Sequence, residues 1–240
     1  MTVLSNQQVS KYWAIVPAAG VGARMNSDTP KQYLPLAGKT VIEHTLNRLA
    51  EVTQLSGIVV ALSVQDDYWK DINLPEHMQV SVVKGGSERY LSVFNSLQHL
   101  AGITDLQDWV LVHDAARPCV RSCDIQNLIE RVSKHKVGGL LGLPVRDTMK
   151  RVDAEQQVNN TVDRDSLWHA LTPQMFRLGD LMTALQSVIE NDSAVTDDAS
   201  AIELSGSSPL MVEGHADNIK ITRPQDLQLA DLFLQQQLAE

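Results

Sequence analysis

Short apolar runs recur along this chain, each too brief for a helix and separated by longer amphipathic stretches. The run Trp13 to Ala18 is nearly continuous, as expected of a first strand buried on both faces. Gly57 to Ser63, Val80 to Val83, Trp109 to His113 and Val137 to Leu143 predict further strands. Apolar positions at helical spacing predict helices over Val41 to Ala50, Ser92 to Leu100, Asp124 to His135, Leu178 to Glu190 and Pro224 to Ala239. Thr222, with Gln225 three residues on, reads as a capping box for the last of these. The alternation predicts an α/β fold with a mostly parallel sheet.

One segment breaks the alternation. From Arg146 to Arg164 the chain reads RDTMKRVDAEQQVNNTVDR, two strand-like stretches around a polar turn at Asp153 to Gln157. It has no helix-length apolar stripe to dock on a sheet. The pattern predicts a projecting β-arm, which with so little core of its own is expected to rest on a second subunit.

Composition narrows the function classes. The 240 residues suffice for a substantial core, and 43% hydrophobic against 20% charged residues is ordinary for a globular chain. The net charge of −9 argues against nucleic-acid and anionic-membrane binding, which need a basic face. Cys119 and Cys123 are spaced C-x3-C, neither a common zinc pair nor a C-x-x-C redox motif, so free thiols in a reducing cytosol are expected. No basic-then-apolar leader opens the sequence, and a cytoplasmic location follows as an expectation.

Four segments carry residues suited to chemistry. PAAGVGARM, Pro17 to Met25, follows the first strand; Gly20 and Gly22 permit a tight turn whose N–H groups approach phosphate oxygens, with Arg24 and Lys31 nearby. It is not a dinucleotide G-x-G-x-x-G, because position 25 is Met, and no G-K-[ST] follows. Taken alone, the loop fits an anion cradle and an unliganded turn with solvated cations equally. WVLVHDAARP places Asp114 at the carboxyl end of a strand, where open α/β sheets bind ligands, and a carboxylate there can hold Mg²⁺ or simply cap the next turn. Arg117 follows in the same loop, and His113 reads as structural. HADNIKITRP adds Asp217 as a second possible metal ligand and Lys220 as a third cation, or else is a solvated loop before a helix. GGSERYLSV is a second glycine turn before a helix, with backbone groups placed to read the edge of a base, and TDDAS looks like a helix start with acids in its first turn.

In this order, PAAGVGARM…PKQYLPL, GGSER…SV, VLVHDAARP, PVRDTMKR, TVDR…LWHALTPQ, TDDAS and VEGHADNIKITRP resemble the 2-C-methyl-D-erythritol 4-phosphate cytidylyltransferase family, from about Trp13 to Leu229. The resemblance implies a Rossmann-like nucleotidyltransferase fold in a single domain, a homodimer, and Mg²⁺ as cofactor. It implies transfer of the cytidylyl group of CTP to a small alditol phosphate with release of pyrophosphate. On that basis Pro17, Ala18, Ala19, Gly20 and Gly22 would hold the triphosphate, with Arg24, Lys31 and Lys220 as the catalytic cations. Gly86 and Ser92 would lie at the cytosine, Asp114 and Ala115 would also bind the nucleotide, and Asp114 and Asp217 would be metal-side carboxylates. Arg117, Thr148, Arg164 and Thr172 would match the acceptor site, with Thr148 and Arg164 reaching a neighbouring subunit on the arm. The chain departs from common family members at Ser87, where some carry Asp, and at Gln225, often Glu. Three rivals stay in view: a ribitol 5-phosphate cytidylyltransferase, a nicotinamide dehydrogenase disfavoured by the missing third glycine, and a non-catalytic nucleotide sensor.

Overall fold

The computed structural model describes residues 10–20, 25 and 29–240. Arg24 and Gly22 therefore lie outside the described residues.

The first strand, β1 (Tyr12–Pro17), shows why its apolar run is continuous. Trp13 and Ile15 enter one core while Ala14 and Val16 enter the other, so period-two geometry sends neighbouring residues to opposite, equally dry faces. Parallel partners flank it, β4 (Leu55–Leu62) on one side and β6 (Trp109–Val112) on the other. With β5 (Val80–Lys84), β7 (Gly138–Pro144), β10 (Trp168–Arg177) and β11 (Leu210–Glu213) they form a seven-stranded sheet in the order β11-β7-β10-β6-β1-β4-β5. Only β10 runs antiparallel to its neighbours, β6 and β7. It is a strand that the sequence reading did not anticipate.

Helices cover both faces. α1 (Val41–Ala50) and α3 (Ser122–Val132) bury Ile42, Leu46, Leu49, Ile125, Leu128 and Val132 against one face. α2 (Arg89–Ala101), α4 (Leu178–Glu190) and α5 (Asp198–Leu204) pack Val93, Leu97, Leu181, Leu185 and Ile202 on the other. α6 (Pro224–Ala239) docks through Ala230 and Leu234 onto a smaller cluster with Leu36, Val41 and Ile221. The expected mixed α/β architecture is the observed one.

Two local expectations need correction. α2 begins at Arg89, three residues before the predicted Ser92. α6 takes Arg223 as its N-cap with Pro224 at its first turn, so the capping carboxylate is Asp226 rather than the side chain of Gln225. Asp226 accepts from the Thr222 and Arg223 amides at 2.8 Å each and from the Thr222 hydroxyl at 2.9 Å.

The arm is present as β8 (Met149–Val152) and β9 (Val158–Val162), an antiparallel pair bonded to no other strand, turning at the predicted polar residues. Met149, Val152 and Val158 are exposed on it. Among the described residues no helix is long and apolar enough to cross a membrane.

Candidate active site

The carboxyl ends of β1, β5 and β6 meet at one cleft of about 190 Å³. Pro17, Ala18, Ala19 and Gly20 bring the loop after β1 to it, and Gly86, Ser87, Glu88, Arg89 and Ser92 bring the turn after β5. Asp114 and Ala115 enter from the end of β6, and Lys31 and Lys220 complete the lining with Gln32 and Ala116.

Both glycine turns are built into the fold by side chains. Gln32 is buried and donates from Nε2 to the carbonyls of Ala18 (2.8 Å) and Gly20 (3.2 Å), fixing the first loop. Ser92 accepts from the Gly86 amide at 3.0 Å and returns its hydroxyl to the Glu88 carbonyl. At Gly85 a Cβ would stand 2.4 Å from that of Ala19, so the two loops touch only because residue 85 has no side chain.

Asp114 is the electrostatic centre. Its Oδ1 meets Arg89 Nε at 2.9 Å, and its Oδ2 meets Lys220 Nζ at 2.8 Å and Arg117 Nε at 3.6 Å. Burial opposes ionisation of this carboxyl, but Arg89, Lys220 and Arg117 outweigh it and hold its pKa well below the usual range. Arg89 also binds Asp198 Oδ2 at 2.9 Å, so one guanidinium ties α2, β6 and α5 together. Burial pushes the Asp198 carboxyl up despite Arg89. Lys31 donates from Nζ to the Ile221 carbonyl at 3.2 Å, which brings the two lysine-bearing loops together.

Behind Asp114 lies a closed chain of hydrogen bonds. The Asp114 amide donates to Thr172 Oγ1 at 3.2 Å, and that hydroxyl donates to His113 Nδ1 at 2.9 Å. His113 Nε2 donates to the Arg117 carbonyl at 3.1 Å, because a carbonyl can only accept. Burial pushes the ring's pKa down to about 4, so at neutral pH it is uncharged, with its proton on Nε2. His113 is structural, as its sequence context suggested.

Of the residues expected at a site, Pro17, Ala18, Ala19, Gly20, Lys31, Gly86, Ser92, Asp114, Ala115 and Lys220 converge on the cleft. Asp217, Arg117, Thr148, Arg164 and Thr172 do not line it. Arg117 and Thr172 are buried just behind Asp114, and Thr148 and Arg164 are exposed on the arm, where Arg164 bonds the Arg146 carbonyl. Of the two carboxylates expected beside a metal, Asp114 lines the cleft and Asp217 does not. Asp114 is committed to three cations, and Asp217 Oδ2 accepts from Arg121 Nε (2.7 Å) and Gln237 Nε2 (2.8 Å). Asp217 Oδ1 and the neighbouring Asn218 Oδ1 are buried with no hydrogen-bond partner. Arg89 and Gln32 were missed. Arg89 sits inside GGSERYLSV, but its partner Asp198 is 109 residues away, and such a pairing is invisible in one sequence.

A mostly parallel sheet that delivers two lysines and two glycine turns to its carboxyl edge, with no third fingerprint glycine, has the arrangement of a Rossmann-like nucleotidyltransferase. Solved structures agree with that class: the chain is similar to 2-C-methyl-D-erythritol 4-phosphate cytidylyltransferase of Francisella tularensis, with a TM-score of 0.80 and 38% identity over 93% of this chain and 100% of that one. The model of the 2-C-methyl-D-erythritol 4-phosphate cytidylyltransferase (IspD) family matches residues 12–236, and the chain belongs to that family. Relatives bearing that name are similar at 51% identity in Vibrio vulnificus strain YJ016 (92% of this chain, 93% of the relative). In Hahella chejuensis the figure is 49% (99% and 98%).

Proposed function

We propose that this enzyme joins the cytidylyl group of CTP to 2-C-methyl-D-erythritol 4-phosphate, releasing pyrophosphate, in the cytoplasm. The observation that carries the reading is the cleft itself, where Lys31 and Lys220 face two glycine turns around a carboxylate held in place by Arg89. The acceptor is a phosphate monoester whose second pKa is about 6, so it is largely a dianion at neutral pH. No protein base has to remove a proton, which fits a site whose one nearby histidine is sealed behind Asp114. An acceptor oxygen attacks the α-phosphorus in line, its new P–O bond forming as the bond to the bridging oxygen breaks and pyrophosphate leaves. The protein's task is to hold two polyanions together and to stabilise charge on the α-phosphoryl oxygens. Lys31 and Lys220 supply that field from the cleft wall, with Arg24 as the third expected cation, an effect that in enzymes reaches several kcal/mol. Asp114 keeps the Lys220 ammonium on station, itself held by Arg89.

In this reading the amides after β1 take the triphosphate, and the turn at Gly86 and Ser92 takes the cytosine. Arg117 and Thr172, buried just behind Asp114, serve the acceptor side. With Asp114 engaged by Arg89 and Lys220 and Asp217 by Arg121, magnesium would arrive on the phosphates of CTP. Calorimetry should show no Mg²⁺ binding to the free enzyme; tight binding lost in Asp217→Asn would restore the two-carboxylate site. A homodimer would bring Thr148 and Arg164 of each arm to the neighbour's cleft. Pyrophosphate release from CTP, measured with 2-C-methyl-D-erythritol 4-phosphate and with ribitol 5-phosphate, tests the assignment. Turnover is expected with the first acceptor and to fall at least ~100-fold in kcat in Lys31→Met. Preference for ribitol 5-phosphate, or full activity of Lys31→Met, would reject it.

A further inference from the structure

The two cysteines lie close in sequence but in different surroundings. Cys119 is buried with its Sγ toward the Ala230 carbonyl, and burial pushes its thiol up to about 12. Cys123 is exposed in the first turn of α3. Its neighbour Asp124 is buried beneath the loop that follows β11, and there it receives His215 from 91 residues away. The His215 amide donates to Asp124 Oδ2 at 2.9 Å, and ring Nδ1 donates to Oδ1 at 2.7 Å. A Cβ on Gly214 would come within 3.3 Å of Oδ2, so the loop lies closely over the carboxylate.

The Asp124–His215 pair explains itself as a clasp between β11 and α3. The thiol does not. One ligand atom each from Cys123, Asp124 and His215 lie within 4.8 Å of one another, and a thiol, an imidazole and a carboxylate are the donors of a site for a borderline metal. We propose that these three residues bind a divalent ion of the zinc class, with water in the fourth position, at a place separate from the cleft. None of the three lines the cleft.

The ligand atoms that lie farthest apart, within 4.8 Å, close by up to about an ångström on binding. Zinc–ligand bonds of about 2.0 to 2.3 Å at tetrahedral angles separate ligand atoms by roughly 3.3 to 3.6 Å. The Nδ1 and Oδ1 atoms at 2.7 Å must part by under an ångström, and the imidazole is about half exposed, with 52% of its side-chain surface accessible. On binding, the ring proton moves from Nδ1 to the solvent-facing Nε2, and the thiol proton leaves to water. Thiolate and carboxylate then neutralise the ion's two charges. Mg²⁺ is a poor occupant because only one of the three donors is oxygen. The bound ion would pin to α3 the loop that carries Lys220 into the cleft.

The test uses the reduced full-length protein without nucleotide or magnesium. Co²⁺ is titrated as a spectroscopic probe and then displaced by Zn²⁺. Expected are a one-site saturation, a thiolate-to-cobalt charge-transfer band, tetrahedral d–d absorption, and a rise in Tm with Zn²⁺ by mass action. Cys123→Ser should abolish the charge-transfer band, and it and His215→Ala should each weaken Zn²⁺ binding at least ~10-fold. Both side chains are exposed, so both variants are expected to fold, and their Tm without metal checks this. Absence of saturable binding to the wild type overturns the proposal, as does equal Zn²⁺ affinity in Cys123→Ser.

Discussion

Among the described residues a Cβ added to Gly20 meets no atom within 4 Å, and its φ lies outside the left-handed region. No described neighbour and no backbone strain requires glycine there, and close approach of a phosphate to the loop accounts for it. Gly20→Ala is expected to keep stability within about 0.5 kcal/mol while raising KM for CTP at least ~10-fold. Gly85→Ala, whose Cβ would strike Ala19, should instead lose roughly 1 to 3 kcal/mol by overpacking. Thermal melts and CTP kinetics on the pair separate the two causes; a destabilised Gly20→Ala with unchanged KM would place the demand in the fold. His113 makes a second prediction. Its folded pKa of about 4 lies below the ordinary value near 6.5, so its contribution to stability is complete above about pH 6.5 and is lost as pH falls toward 4. The full loss is about 3 kcal/mol. Burial lowers His44 as well, adding a loss of the same sign, whereas the raised Asp198 carboxyl opposes it. Urea unfolding between pH 7.5 and 4.5 should show the decline, and His113→Gln should flatten it by His113's share. An unchanged slope in the variant would mean that the ring is not held neutral.

At the scale of elements, the legible parts of the sequence were those in which local pattern and final burial agree. β1 is apolar throughout because both its faces are covered, and α1 carries its apolar stripe and its Thr40–Glu43 capping box in one continuous segment. β10 was hidden because its residues mix His169, Thr172, Pro173 and Gln174 with apolar ones. It is buried nonetheless, since its polar groups find distant partners: Gln174 reaches Asp197 at 2.8 Å and the Ala199 amide at 2.8 Å. The candidate site divides the same way. Loops that leave strand ends announce Gly20, Asp114 and Lys220 in order, whereas the Arg89–Asp198 bridge depends on two helix starts meeting in space. Register errors at helix starts follow from capping chemistry that several nearby residues could perform. For α6 the three hydrogen bonds accepted by Asp226 decide which one does so. Asp226→Ala should cost about 1 kcal/mol as a lost cap, and Gln225→Ala should be close to neutral. Chemical denaturation of both variants checks this; equal losses would return the cap to residue 225.

At the scale of the whole molecule, a chain of net charge −9 gathers Lys31, Arg89 and Lys220 on one cleft, so its affinity for polyanions is local rather than global. The feature that a single subunit leaves unexplained is the arm. β8 and β9 bond only to each other, expose Met149, Val152 and Val158, and hold Thr148 and Arg164 away from the cleft of their own chain. The proposed homodimer accounts for this if each arm completes the partner's site, since a two-fold axis repeats one contact on both subunits. Lys31→Met and Arg164→Ala, each expected to be inactive alone, are unfolded, mixed and refolded together. With crossed arms, one site of a mixed dimer regains both Lys31 and Arg164 while the other lacks both. Random pairing makes about half the dimers mixed, so roughly a quarter of all sites should recover activity. If each arm folds back to serve its own subunit, every site keeps one defect and the mixture stays at background, and the shared site is then wrong.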